Sequence, residues 1–288
     1  MFHLDNRICQ FILTQYIYKE EKMKIDYKET TSDLISRINI HDKFGSRNID
    51  EWMLETLVLR EGMRILDVAC GSGKQCSSFY TTLDGKCEIT GGDVSEELLD
   101  KAKQIRAENN YKIEYKHLNF NEPFNFADNK FDLLSCCFAI YYSEDIPFTI
   151  REMHRVLKHG GKLFTTGPMP ENKQVFYNII KEATNKPIPK MPGSPRYASE
   201  ILKAIKNTFS DVEVKIFENP LTFPTAAPFL EYTRASLSED RKLWGDFFTE
   251  KDSFINVMKS IEDVANKWIQ RDGVIVMTKV VGGFIATK

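Results

Sequence analysis

The residues whose types and spacing point to chemistry are Asp67, Gly71, Gly73 and Asp93, in and after the stretch ILDVACGSGKQ at 65–75. Two glycines leave the backbone bare, so a ligand can come close to it. A helix beginning near Lys74 then aims free N–H groups and its positive end at the same spot. Asp93 follows Gly73 by 20 residues, at the end of a second apolar run. That spacing sets a carboxylate beside the ribose of a nucleoside lying over the glycines. A dinucleotide site has a third glycine, G-x-G-x-x-G, and Cys76 stands in that place. Asp67, just ahead of the glycines, repels a pyrophosphate and suits a cationic ligand.

Such residues need a scaffold that gathers strand ends. From 63 onward the chain alternates short apolar runs with helical patterns. RILDVA, KCEITGG, KIEYKHL, FDLLSCCFAI and KLFTTGP read as strands. KQCSSFYTTL, SEELLDKAKQIRAENN and EDIPFTIREMHRVLK read as helices. Ser95 caps the second of these, with Glu96 and Glu97 in its first turn. The glycines of HGG close the third. The alternation predicts an α/β fold with a doubly wound, mostly parallel sheet. Ligands of such sheets bind along the carboxyl edge of the strands.

The flanks read differently. Residues 24–60 carry amphipathic helices broken at Gly45 and Ser46, with Asn48 or Asp50 as a cap. Beyond 170 come a Pro-rich loop, PIPKMPGSPRY, and a helix, SEILKAIKNTF. Strands in DVEVKIFENPLTF and VVGGFIAT suit antiparallel pairing, with a helical, aromatic stretch between them. We therefore divide the chain into an N-terminal helical segment, 1–60, and a main domain, 61–288, in which 221–275 is a helical insertion. Met23 follows KEEKM and is a second candidate start, which would leave 1–22 outside the native protein.

Of 288 residues 42% are hydrophobic and 12% aromatic, enough for a packed core, and the net charge is -2. That balance gives no general attraction to nucleic acid or anionic membrane. Six cysteines form no CxxC and the five histidines are scattered, so no metal site is expected. Adjacent Cys136 and Cys137 in an apolar run suit buried, reduced thiols and a cytoplasmic protein. No run of about 18 apolar residues is present, so no transmembrane helix is expected.

Taken in order, the motifs resemble those of the class I S-adenosylmethionine-dependent methyltransferases, small-molecule type. ILDVACGSGK is similar to that family's glycine motif and ITGGDVSEELLDKA to its second motif. LNFNEPFNFADNKFDLLSCCFAIYY resembles its third and fourth strands, and REMHRVLKHGGKLFTTGP its fifth-strand region. The resemblance covers roughly 60–170. It implies a seven-stranded, Rossmann-like sheet, S-adenosyl-L-methionine as cofactor and a small-molecule acceptor methylated at O or N. It places Asp67, Gly71 and Gly73 against the methionine part of the cofactor. Asp93 would hold the ribose, Val94 and Phe120 the adenine, and Asn119 the adenine amino group. The carbonyl of Cys137 would meet the cofactor's amino group. His159 replaces the family's usual proline and receives no role.

Further candidates are less specific. Tyr141 and Tyr142 follow the fourth strand, where this family's acceptor lies, and suit an orienting group or a base. His41 and Arg47 lie in the N-terminal segment, which closes over the cofactor in family members; Arg47 suits the methionine carboxylate and His41 a base. Tyr232 and Trp244 suit a substrate lid, and all these aromatics equally suit ordinary packing. Two other readings stand beside methyl transfer. One is an NAD(P)-dependent oxidoreductase on a related sheet, disfavoured by the missing third glycine. The other is a non-catalytic protein that binds S-adenosylmethionine. No sequence feature names the oligomeric state.

Overall fold

A computed structural model describes residues 31–188, 193–236 and 253–288. Two units make up the chain. One takes Met1–Ser46, Lys173–Met191 and Pro220–Thr278, and the other Arg47–Asn172, Pro192–Asn219 and Lys279–Lys288. The break at Gly45 and Ser46 falls where the units part, and residues 47–60 lie in the unit that holds β1 to β5.

In chain order the elements are α1 (Thr31–Phe44), α2 (Ile49–Thr56), β1 (Arg64–Val68), α3 (Lys74–Thr82), β2 (Glu88–Asp93), α4 (Glu96–Glu108), β3 (Ile113–His117) and β4 (Phe131–Cys137). There follow a 3-10 turn (Ile140–Tyr142), α5 (Ile146–Val156), β5 (Leu157–Pro168), α6 (Gln174–Thr184), α7 (Gly193–Arg196), a π turn (Tyr197–Ile201) and α8 (Leu202–Thr208). β6 (Asp211–Phe223), α9 (Ala226–Ala235), α10 (Ser253–Asp272) and β7 (Ile275–Thr287) complete them. The seven strands form one sheet in the order β3-β2-β1-β4-β5-β7-β6. β1 to β5 pair in parallel, and β7 runs antiparallel to β5.

Alternation along each strand explains the two covered faces. Leu66, Val68, Leu134, Cys136 and Leu163 enter one core with α5 and the π turn. Ile65, Leu133 and Phe164 enter the other with α2, α3 and α4. Strands buried on both sides read as continuous apolar runs, which is why RILDVA and FDLLSCCFAI are legible. The helix starts follow their caps. The Asn48 side chain accepts from the Asp50 N–H at 2.8 Å, Ser95 caps α4, and Asp145 accepts from the Phe148 N–H at 2.9 Å. One boundary differs from the sequence reading. HGG does not end a helix, because β5 begins at Leu157. Gly160, at φ +77°, gives its N–H to the Lys288 carbonyl and Gly161 accepts from the Lys288 N–H. The glycines thus let the chain's last residue join the strand.

The helical unit has its own core. Ile40 of α1, Phe176 and Ile179 of α6, and Phe229, Tyr232 and Ile261 from 221–275 pack together. The Trp268 indole N–H of α10 donates to Glu182 of α6 at 2.9 Å. The predicted insertion therefore shares its core with α1 and α6. Among the described residues no helix is long and apolar enough to cross a membrane.

Candidate cofactor site

The site is built at the carboxyl edge of β1, β2 and β4. After β1 the chain turns through three left-handed residues: Ala69 at φ +57°, Gly71 at +54° and Gly73 at +77°. Ala69 holds this conformation in spite of its Cβ, at a cost of about 1 kcal/mol. The two glycines do different work. A Cβ on Gly71 would project into open space. One on Gly73 would overlap the Tyr115 hydroxyl and crowd Ala102. Gly71 thus keeps the ligand side of the turn clear, and Gly73 lets the turn sit down on β3 and α4.

Asp93 locks the turn to the next strand. Its carboxylate accepts from the Gly71 N–H at 2.8 Å with one oxygen and from the Ser95 N–H at 2.9 Å with the other. It is 7% exposed. Each oxygen accepts one amide and retains a lone pair for a hydroxyl donor. Val94 beside it is 56% exposed, an apolar side chain at the same edge. Lys74, at the start of α3, pairs with Asp50 of α2 at 2.6 Å.

Asp67 lies deeper. One of its carboxylate oxygens accepts from the Ser135 hydroxyl at 2.5 Å and the other from the Cys76 thiol at 3.4 Å. β1 and β4 set Asp67 opposite Ser135 in register. Burial pushes the Asp67 carboxyl up to about 6, and the bonds from Ser135 and Cys76 counter it only in part. Among the described residues no lysine or arginine pairs with it. A buried acid without a cation, beside an open glycine turn and a carboxylate with acceptor capacity left, is a donor and acceptor set that fits a cationic nucleoside. S-adenosylmethionine has both features.

The remaining predicted contacts fall in two places. In the sheet unit the Asn119 side chain accepts from the Asn121 N–H at 3.0 Å and donates to Glu122 at 2.8 Å. Phe120 is half-buried against the core, and its carbonyl accepts from the Thr149 hydroxyl. Cys137 ends β4 opposite Thr166 of β5. Burial pushes its thiol up to about 12, so it is a neutral thiol at pH 7. Phe138, next along, is left-handed at φ +56° and 38% exposed. Tyr141 and Tyr142 form the 3-10 turn, their rings 4.7 Å apart, and Tyr141 accepts from Arg196 through its carbonyl at 2.8 Å. Arg47 is engaged at β6. Its guanidinium lies 4.7 Å from the Phe217 ring and donates to the Glu218 carbonyl at 3.1 Å.

In the helical unit His41 is half-buried and stacks on Tyr232 at 6.2 Å. Tyr232 is fully buried in that unit's core. Trp244 lies outside the described residues.

Three residues at the sheet edge were not singled out from sequence. Ser135 is the polar interruption in FDLLSCCFAI, a signal that a strand buried on both faces must satisfy a hydroxyl internally. Gln75 and Thr166 carry no such signal. The Gln75 amide nitrogen and the Thr166 hydroxyl are buried and face the Cys137 sulfur, a weak acceptor that leaves both short of a well-formed hydrogen bond. Thr166 is fully buried. A buried donor left without a good acceptor costs up to about 1–3 kcal/mol, so two weakly paired donors at one place suit a ligand that offers a stronger acceptor.

Residues 59–215 match the family described as Methyltransferase domain. The chain is 33% identical over 135 residues to a demethylmenaquinone methyltransferase of Staphylococcus epidermidis, covering 45% of this chain and 54% of that protein. It is 27% identical over 141 residues to the ubiquinone/menaquinone biosynthesis C-methyltransferase UbiE of Shewanella oneidensis, covering 49% of this chain and 56% of that one. The chain thus spans about half the length of these curated relatives. Among solved structures, the YcgJ protein of Bacillus subtilis superposes with a TM-score of 0.55 at 17% identity, over 83% of this chain and 97% of that one. That likeness shows the fold. With over half its residues inside the matched region, the chain belongs to the methyltransferase-domain family, the class I S-adenosylmethionine-dependent methyltransferases.

Proposed function

We propose that this chain transfers a methyl group from S-adenosylmethionine to the oxygen or nitrogen of a small-molecule acceptor. The observation that carries the reading is the open glycine turn at Gly71 flanked by two buried carboxylates, Asp67 without a cation and Asp93 with acceptor capacity left. When bound, S-adenosylmethionine supplies a methyl group already activated by a sulfonium, so the protein's part is to position and to exclude water. Asp93 receives the ribose hydroxyls and Val94 covers the adenine. Asn119 receives the adenine amino group with the lone pair its carbonyl keeps, and Phe120 lines the ring. Asp67 faces the positive amino-acid end, together with the Cys137 carbonyl. Gln75 and Thr166 donate to the carboxylate of that end. Phe138, Tyr141 and Tyr142 border the acceptor's approach. Methylation at carbon is a second reading, favoured by the names of the two curated relatives.

Thermal unfolding with S-adenosylmethionine, S-adenosylhomocysteine and NAD tests the cofactor. Saturation at about 100 times Kd adds ~2.7 kcal/mol, a rise of several degrees in Tm. A rise with NAD alone overturns the reading. Incubation with labelled methyl donor and cell extract, followed by NMR of the labelled product, then shows whether the methyl sits on oxygen, nitrogen or carbon.

Thr166→Val and Gln75→Leu test the two weakly paired donors. Each variant removes a buried, weakly paired group, so the unliganded protein is expected to keep or gain stability, while Kd for S-adenosylmethionine rises about 3- to 10-fold. Calorimetric titration and urea melts on the same samples separate the two effects. Unchanged Kd in both variants removes Gln75 and Thr166 from the site.

A further inference from the structure

The outer edge of β6 carries a short self-complementary stretch. β6 ends the strand order, with β7 as its sheet neighbour. Further along β6, Leu221 bridges Gly45. The Asn219 side chain accepts from the Arg47 N–H and donates to the Arg47 carbonyl. Residues 213–216 have no such cover among the described residues, and all four are exposed. Glu213 and Lys215 share one face of the strand and pair at 2.8 Å. Val212, Val214 and Ile216 share the other. Val212 packs against the core, while Val214 and Ile216 are 41% and 46% exposed. A bare strand edge is a template for another strand, and charged side chains are the usual guard against it. Here the guarding lysine is matched by a glutamate two residues away.

We propose that β6 pairs antiparallel with β6 of a second copy of this chain, about a two-fold axis through Val214. In that register Glu213 stands opposite Lys215 of the second copy, and Lys215 opposite its Glu213. Directly opposed residues lie close enough for opposite charges to attract and like charges to destabilise. On the other face Val214 meets its twin and Ile216 meets Val212, which covers the exposed apolar pair. Moving the axis to Glu213 or to Lys215 sets that residue against its own copy, so of these three registers the charge pattern favours the one through Val214. The interface is isologous and closes as a dimer. The two seven-stranded sheets then run on as one, and the free backbone donors and acceptors of 212–216 find partners.

Sedimentation velocity over about a hundredfold range of protein concentration tests this. The wild-type chain is expected to show a concentration-dependent monomer–dimer equilibrium. Glu213→Lys alone opposes lysine to lysine and Lys215→Glu alone opposes glutamate to glutamate, so each is expected to dimerise at least about tenfold more weakly. An equimolar mixture of the two variants restores every opposed pair and is expected to form a heterodimer at least as tight as the wild-type dimer. Both side chains are exposed, so the variants are expected to melt as the wild type does. Three results overturn the proposal: a wild-type chain that stays monomeric throughout, single variants that dimerise as tightly as wild type, or a mixture that does not associate.

Discussion

Asp93→Ala is expected to raise Kd for S-adenosylmethionine by about 10- to 100-fold and to destabilise the unliganded protein by about 3 kcal/mol. The two effects have one cause. The carboxylate holds the Gly71 and Ser95 N–H groups at 2.8 and 2.9 Å, tying the turn after β1 to the turn after β2. Alanine leaves both donors without their acceptor at a site that is 7% exposed, and a lost partner for a buried donor costs about 1–3 kcal/mol. It also removes the charge that receives the ribose. Asp93→Asn serves as the control, because its single carbonyl keeps one of the two amides and its amino group faces the other. Its stability is expected to fall between wild type and Asp93→Ala. Isothermal titration and urea melts read the two effects separately. An unchanged Kd in Asp93→Ala would refute the ribose assignment, and an unchanged midpoint would show that the turn stands without the carboxylate.

The double duty of Asp93 marks the limit of what sequence carries. Its position 20 residues past Gly73 announces a carboxylate at the ribose. Its bond to the Gly71 amide does not follow from spacing, because it depends on β1 and β2 lying side by side in register, Val68 against Gly92. The same distinction separates the rest of the site. RILDVA, KCEITGG and FDLLSCCFAI are legible because a strand covered on both faces tolerates few polar residues. α4 is legible because Ser95 and its two glutamates satisfy a helix start locally. Gln75 and Thr166 meet Cys137 only across α3, β5 and β4, so no local pattern marks these two. The helical unit is hidden for the same reason. Its core joins residues from 31–46, 173–188, 220–236 and 253–278, segments that share no motif, only apolar faces that cannot be buried alone.

Asp67 gives the protein a pH dependence between about pH 4 and pH 6.5. Its carboxyl, at 3.8 in the unfolded chain, rises to about 6 in the folded one, chiefly through burial. The folded state therefore holds a proton that the unfolded state has released between these values. The stability this brings is fully present below pH 4 and is lost as pH rises through about 6. At 1.36 kcal/mol per pH unit, the loss amounts to about 3 kcal/mol. Asp67→Asn keeps an oxygen for the Ser135 hydroxyl and carries no charge to desolvate. Urea melts are expected to show the variant gaining on wild type from pH 4 to pH 6.5, ending up to about 3 kcal/mol more stable. A difference that stays constant with pH would show that Asp67 is charged throughout. Affinity runs the other way. A cationic ligand needs the carboxylate deprotonated, so Kd of wild type for S-adenosylmethionine is expected to fall as pH rises through about 6. In Asp67→Asn it is expected to stay flat and weaker. The acid that lowers the stability of the empty protein at neutral pH is then the one that recognises the positive end of the cofactor, and parallel pH profiles in the two proteins would separate those roles.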